Sequence, residues 1–148
     1  MTSMKKILFI LMVACSSCML VNAQSQDPLV SSCVMNIGDG AKYLKDFKVQ
    51  LGKGTDTGEL RYKERMSLWK NTKYRFTMCN DANSQGQLII TIKDENNSVV
   101  LSSYDEKSGK IYSSIDFVCN RSGIYQICYD FYRGEAGLGI GVVSMVRK

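Results

Sequence analysis

Between residues 43 and 146 the chain is written in short segments whose side chains alternate between apolar and polar, each closed by a cluster of Gly, Asn, Asp or Ser. In residues 43–51, Tyr43, Phe47, Val49 and Leu51 share one face, while Leu44, Asp46, Lys48 and Gln50 mostly take the other. A period of two is that of a half-buried strand. The pattern returns at residues 60–68, 73–79 and 124–132; residues 87–93 read as a strand because they are rich in β-branched side chains, and 98–103, 111–119 and 138–146 as strands set off by turns. No helical stretch is long enough to carry parallel crossovers. The expectation is an all-β fold: a single antiparallel β-sandwich, jelly-roll-like, of about eight strands. The stretch 24–32, around the only proline, Pro28, reads as an extended lead-in, and residues 33–148 as the domain.

The N-terminus limits where such a fold works. Lys5 and Lys6 precede an apolar run, and Val21-Asn22-Ala23 closes it, the three-part pattern of a secretory signal over residues 1–23 cleaved after Ala23. The run is about 14 residues long, where a spanning helix needs roughly 20, and no other segment approaches that length. A competing expectation makes Cys15 or Cys18 a lipidated first residue, which would anchor the protein to a membrane. Against it, Met19-Leu20-Val21 continue the apolar stretch where a polar tether is expected. The location implied is the periplasm, or the outer surface of a bacterial envelope.

Cleavage there leaves Cys33, Cys79, Cys119 and Cys128. In an oxidising compartment these imply two disulfides, with three connectivities open. With no histidine in the chain and no cysteine pair at ligand spacing, zinc is not indicated, and no cofactor is expected. Of 19 basic and 14 acidic side chains, Lys5 and Lys6 lie in the signal, so the mature domain carries a net charge of +3. Its charges alternate locally, in contrast to the one-sided stripe that binds nucleic acid.

Residues 114–131 contain Gly123, Tyr125, Cys128 and Tyr129 in the order Gly-x-Tyr-x-x-Cys-aromatic. This resembles the late strand pair of GOLD domains, found in the lumenal parts of vesicle cargo receptors. Tyr74-Arg75-Phe76 with the later Gly-x-Tyr is also similar to bacterial pre-peptidase C-terminal domains. The likeness extends over roughly residues 33–146 in strand order and bears on the fold. The coiled coil and anchor of the cargo receptors have no counterpart here, so no trafficking role is implied. In those receptors the equivalent cysteine pairs with one near the mature N-terminus. The resemblance therefore implies Cys33–Cys128, and beside it Cys79–Cys119.

Several motifs carry candidate chemistry. Asp56-Thr57-Gly58 matches the tripeptide of aspartic proteases, which need two such carboxylates sharing a proton. A single copy in a glycine-rich loop reads as a polar turn. Asp81 to Gly86 opens like a calcium loop, but its twelfth position is Ile92, where a bidentate Glu is required. Asp94-Glu95 and Asp105-Glu106 fall in turns. Gly137, Gly139 and Gly141 leave one strand face bare. Such a face either accommodates large rings such as Tyr125 or Tyr129, or presents a surface to a partner chain. Trp69 is expected as a core plug and most tyrosines as core or half-buried.

Without histidine or a free thiol, no nucleophile and base can be paired. The expected function is therefore a non-enzymatic binding or assembly module acting on another envelope protein. The alternatives are a carbohydrate-binding sandwich and a small hydrolase using carboxylates.

Overall fold

A computed structural model describes residues 27–147. The signal sequence and both lipidation candidates, Cys15 and Cys18, lie outside the described residues. Ten strands follow one helix: β1 (Ala41–Leu51), β2 (Tyr62–Leu68), β3 (Lys73–Asn80), β4 (Leu88–Lys93), β5 (Val99–Ser102), β6 (Tyr104–Asp105), β7 (Lys110–Ile111), β8 (Ser114–Val118), β9 (Gly123–Phe131) and β10 (Gly137–Val146). Eight of them form two four-stranded antiparallel sheets, ordered β1-β10-β3-β8 and β2-β9-β4-β5. β6 and β7 pair as a small hairpin.

The expected segment 111–119 is divided in two because the chain changes sheets inside it. Tyr112 N donates to Ser103 O beside β5, and the next residue's carbonyl, Ser113 O, accepts from Met78 N of β3. A strand cannot serve both ladders, so pairing stops at residues 112–113.

The alternation expected from sequence sets the core. Phe47, Phe76, Met78 and Val143 of one sheet meet Leu88, Ile90, Ile127 and Tyr129 of the other, all buried. Each such side chain contributes roughly 1.5–3 kcal/mol by leaving water. Three rings interlock at the centre: Phe47 and Tyr62 lie 5.8 Å and 6.0 Å from Tyr129. The glycines of β10 face this cluster, and a Cβ on Gly141 would fall on the Tyr129 hydroxyl, one on Gly137 on the Phe131 ring. Their bare face is taken up by internal packing, and the partner surface expected at Gly137, Gly139 and Gly141 gains no exposed face from it.

The lead-in expected to be extended is instead a helix, α1 (Pro28–Met35). Asp27 caps it by accepting from Leu29 N at 3.0 Å, and Pro28 occupies the first turn, where its missing N–H costs nothing. The helix lies on the outer face of the first sheet, where its Cys33 and the following Ile37 are buried against Ile140 and Val142.

There the disulfide pairing departs from expectation. One bridge is present among the described residues, Cys33–Cys79, with Cα atoms 5.7 Å apart, while Cys119 and Cys128 are free and buried. Cys33–Cys128 is excluded because Cys128 faces outward from the opposite sheet, and two packed sheets stand about 10 Å apart. Cys79–Cys119 fails along the strand. Lys73 pairs with Val118, so Cys119 lies beyond the start of β3 while Cys79 lies near its end.

Burial also governs titration. Burial first, and then a hydrogen bond with Cys119, push the Tyr125 hydroxyl up to about 12; that hydroxyl donates to Arg121 O at 2.6 Å. Burial raises Tyr129 as well. A folded-state pKa above the unfolded value near 10 contributes stability that is complete below pH 10 and is lost as pH rises through the folded value. A spectrophotometric titration should show Tyr125 and Tyr129 ionising only with alkaline unfolding above about pH 11. Full ionisation of all eight tyrosines near pH 10 with the fold intact would contradict this packing.

Candidate functional site

A concavity of about 710 Å³ lies on the outer face of the second sheet. Its floor is the outward side of β4 and β5, with Ile89, Thr91, Lys93, Val99 and Ser102. These positions alternate with the core residues Leu88, Ile90 and Ile92, so the period that fills the core also builds the floor. Thr91 and Ser102 lie side by side, hydroxyl to hydroxyl at 3.4 Å.

Two segments distant in sequence make the walls. One is the glycine-rich loop at residues 52–61, which contributes Asp56, Glu59 and Leu60. It is fastened by Asp130, whose carboxylate accepts from Arg61 N at 3.0 Å and Nη2 at 2.9 Å. Arg61 Nη2 also donates to Glu135 O, and Gly54 N to Gly134 O. Asp130 is almost fully buried, and a buried carboxylate is tolerated where such pairing satisfies it.

The other wall comprises Tyr104 of β6, Glu106, and a 3₁₀ turn at Tyr132–Gly134. Arg133 sits in the left-handed region at φ 58°, uncommon for a residue with a Cβ, and this turns its guanidinium over the Tyr132 ring at 5.2 Å. Gly134 follows at φ 67°, where a Cβ would come within 2.7 Å of Thr55 O. Glycine is required there both by the backbone angle and by the loop that crosses it.

Tyr104 and Tyr132 are paired, with ring centroids 5.2 Å apart and planes inclined at 53°. The interaction of their hydroxyls pushes the Tyr104 pKa up and the Tyr132 pKa down, the latter aided by Arg133. Asp56, Glu59 and Glu106 form no ion pair among the described residues. The cleft therefore carries both signs of charge, short hydroxyls and an aromatic pair.

The motifs read from sequence are distributed differently. Asp56 lines the cleft from an exposed loop, and the buried carboxylate of the same cleft, Asp130, is paired with Arg61 instead of sharing a proton with a second carboxylate as protease chemistry needs. Asp81 accepts from Asn83 N at 2.9 Å in a turn, and no group of three or more acidic or cysteine side chains among the described residues is placed to hold a metal. Asp94 caps its own turn through Asn96 N and Ser98 N, and Asp105 does so through Lys107 N and Ser108 Oγ. Burial pushes the Cys128 thiol up, the opposite of an activated nucleophile.

Trp69, expected inside, is 68% exposed. It stands just past the end of β2, where Tyr74 Oη takes its backbone N–H and fills the adjoining core position. Val118 and Ile124 are also exposed, on strands of opposite sheets.

Tyr104, Tyr132 and Arg133 escaped the sequence reading because their roles depend on a hairpin and a turn meeting over a sheet. The one local signal was the Tyr-Arg-Gly run directly after a strand. No protein-family model matches the chain, and no curated protein matches it.

Proposed function

We propose that the protein is an exported, non-enzymatic binding module of the bacterial envelope, built as a jelly-roll β-sandwich, with its ligand held in the cleft over β4, β5 and the Tyr132–Gly134 turn. The observation that carries this reading is the cleft itself: a concavity of ligand size whose walls are fastened by hydrogen bonds from the loop to Asp130 and Gly134. Walls fixed in advance lower the ordering cost of binding. The two strand orders, β1-β10-β3-β8 and β2-β9-β4-β5, support the jelly-roll assignment. The GOLD-like segment Gly123, Tyr125, Cys128 and Tyr129 falls within β9 and bears on the fold alone. Export is supported by the signal-like N-terminus and by a disulfide, which persists in an oxidising compartment. No described helix is long and apolar enough to cross a membrane.

The test is recovery of the tagged full-length protein from its own envelope fraction, with mass spectrometry of its N-terminus and of whatever is retained. An N-terminus at Gln24, and a retained component that is lost on Val99→Arg but kept on Trp69→Ala, are the expected results. Val99 is exposed on the cleft floor, so the substitution fills the site without entering the core. Retention unchanged by Val99→Arg would overturn the assignment of the cleft, and a lipidated Cys15 or Cys18 would replace the cleaved form with an anchored one.

A further inference from the structure

The contents of the cleft restrict what it can take, given that it is the binding site. An anion would meet Asp56, Glu59 and Glu106, none of them neutralised by an ion pair among the described residues. A cation would meet Lys93 and find the Tyr132 ring already covered by Arg133. A peptide added as a strand needs free backbone groups, whereas β4 on the floor is paired on both sides, with β9 and β5. What remains is a neutral ligand with many hydroxyls and an apolar face.

We infer that the cleft binds a neutral saccharide, stacked on the Tyr104 ring and hydrogen-bonded by the floor hydroxyls of Thr91 and Ser102 and the carboxylates of Asp56 and Glu59. Tyr104 is the platform because the Arg133 guanidinium is stacked on the Tyr132 ring, whereas the one ring contact of Tyr104 among the described residues is Tyr132 itself. The left-handed backbone of Arg133 holds that brace in place, a strained conformation of the kind retained at binding sites. A tyrosine ring offers an apolar body for a sugar face while its hydroxyl stays polar. Charged acceptors make the stronger hydrogen bonds to hydroxyls. This inference rests on the cleft being the binding site, and its test is chosen to fail separately from that reading.

The experiment is titration calorimetry of the full mature protein against neutral hexaoses of the cello-, malto-, xylo- and chito- series and the neutral polysaccharide fraction of its own envelope. Heparin and a tetraalkylammonium salt serve as charged controls. Saturable binding of at least one neutral saccharide is expected, insensitive to ionic strength because no charge is neutralised. Tyr104→Ala should weaken it about tenfold or more and Tyr104→Phe should largely preserve it, at unchanged unfolding temperature. If Tyr104→Ala does not fold, Val99→Arg provides the same comparison by filling the site. Binding of the charged controls alone, of no saccharide, or of saccharide equally well by Tyr104→Ala would overturn the inference. Retention of an envelope component that still depends on Val99 would then leave the binding module standing with a different ligand.

Discussion

Replacing Gly141 with valine is expected to cost more than about 3 kcal/mol and to abolish the cooperative unfolding transition of a protein of ordinary stability. β10 lies between β1 and β3, paired to both, so its backbone cannot retreat without breaking two ladders. A side chain at position 141 would enter the space held by the Tyr129 hydroxyl, and Tyr129 is fully buried between Phe47 and Tyr62. Overfilling a packed core forces side chains off their rotamers, and here the ring has no room to turn. The same geometry predicts a partial rescue. No protein group accepts from the Tyr129 hydroxyl, so Tyr129→Phe should be near neutral and should offset part of the cost of Gly141→Ala in a double-mutant cycle. Calorimetric melting of the four proteins reads both effects. A stable Gly141→Val variant that loses only ligand retention would instead restore these glycines as a partner surface.

The second large effect is expected at the bridge. Removing Cys33–Cys79 frees a 46-residue separation in the unfolded chain, and the chain-entropy relation places the loss near 4 kcal/mol as an upper value. A Cys33→Ala, Cys79→Ala protein should melt about 10 °C or more below the parent. It should also expose the apolar strip of Ile140 and Val142 once α1 is untethered. Cys128→Ala should leave the bridge intact. Non-reducing peptide mapping checks the connectivity directly: Cys33 linked to Cys79, with Cys119 and Cys128 alkylated only after denaturation. A Cys33–Cys128 peptide would overturn the arrangement and bring back the pairing implied by the GOLD resemblance.

Both effects mark the boundary between local and non-local information. Alternation assigned faces correctly through most of the chain. Tyr74, Phe76 and Met78 point inward, which turns Cys79 outward, and Tyr125, Ile127 and Tyr129 do the same for Cys128. Parity therefore offered two outward cysteines to Cys33. It could not say which sheet α1 covers, because that depends on how the strands are shared between sheets. The helix itself was missed because Pro28, which disfavours a helix interior, is well suited to a first turn behind an Asp cap. Trp69, beside Leu68 at a strand end, reads as a core plug, but Tyr74 fills the adjoining core position and leaves the indole outside.

The cleft follows the same division. Its floor strand was legible in the β-branched run of residues 87–93, but which of Ile89, Thr91 and Lys93 face outward followed only once Leu88, Ile90 and Ile92 were seen in the core. Its walls were not legible, because residues 52–61, the β6–β7 hairpin and the Tyr132–Gly134 turn meet only through Asp130 with Arg61 and through Gly134 with Gly54. By itself the sequence determined where the strands run, which side of each meets the core, and that the chain carries the marks of export, because these depend on residue type and spacing within a few positions. Sheet partition, disulfide partner and the aromatic pair over the cleft were decided only by tertiary structure, because each requires contacts between segments whose order along the chain leaves their meeting undetermined.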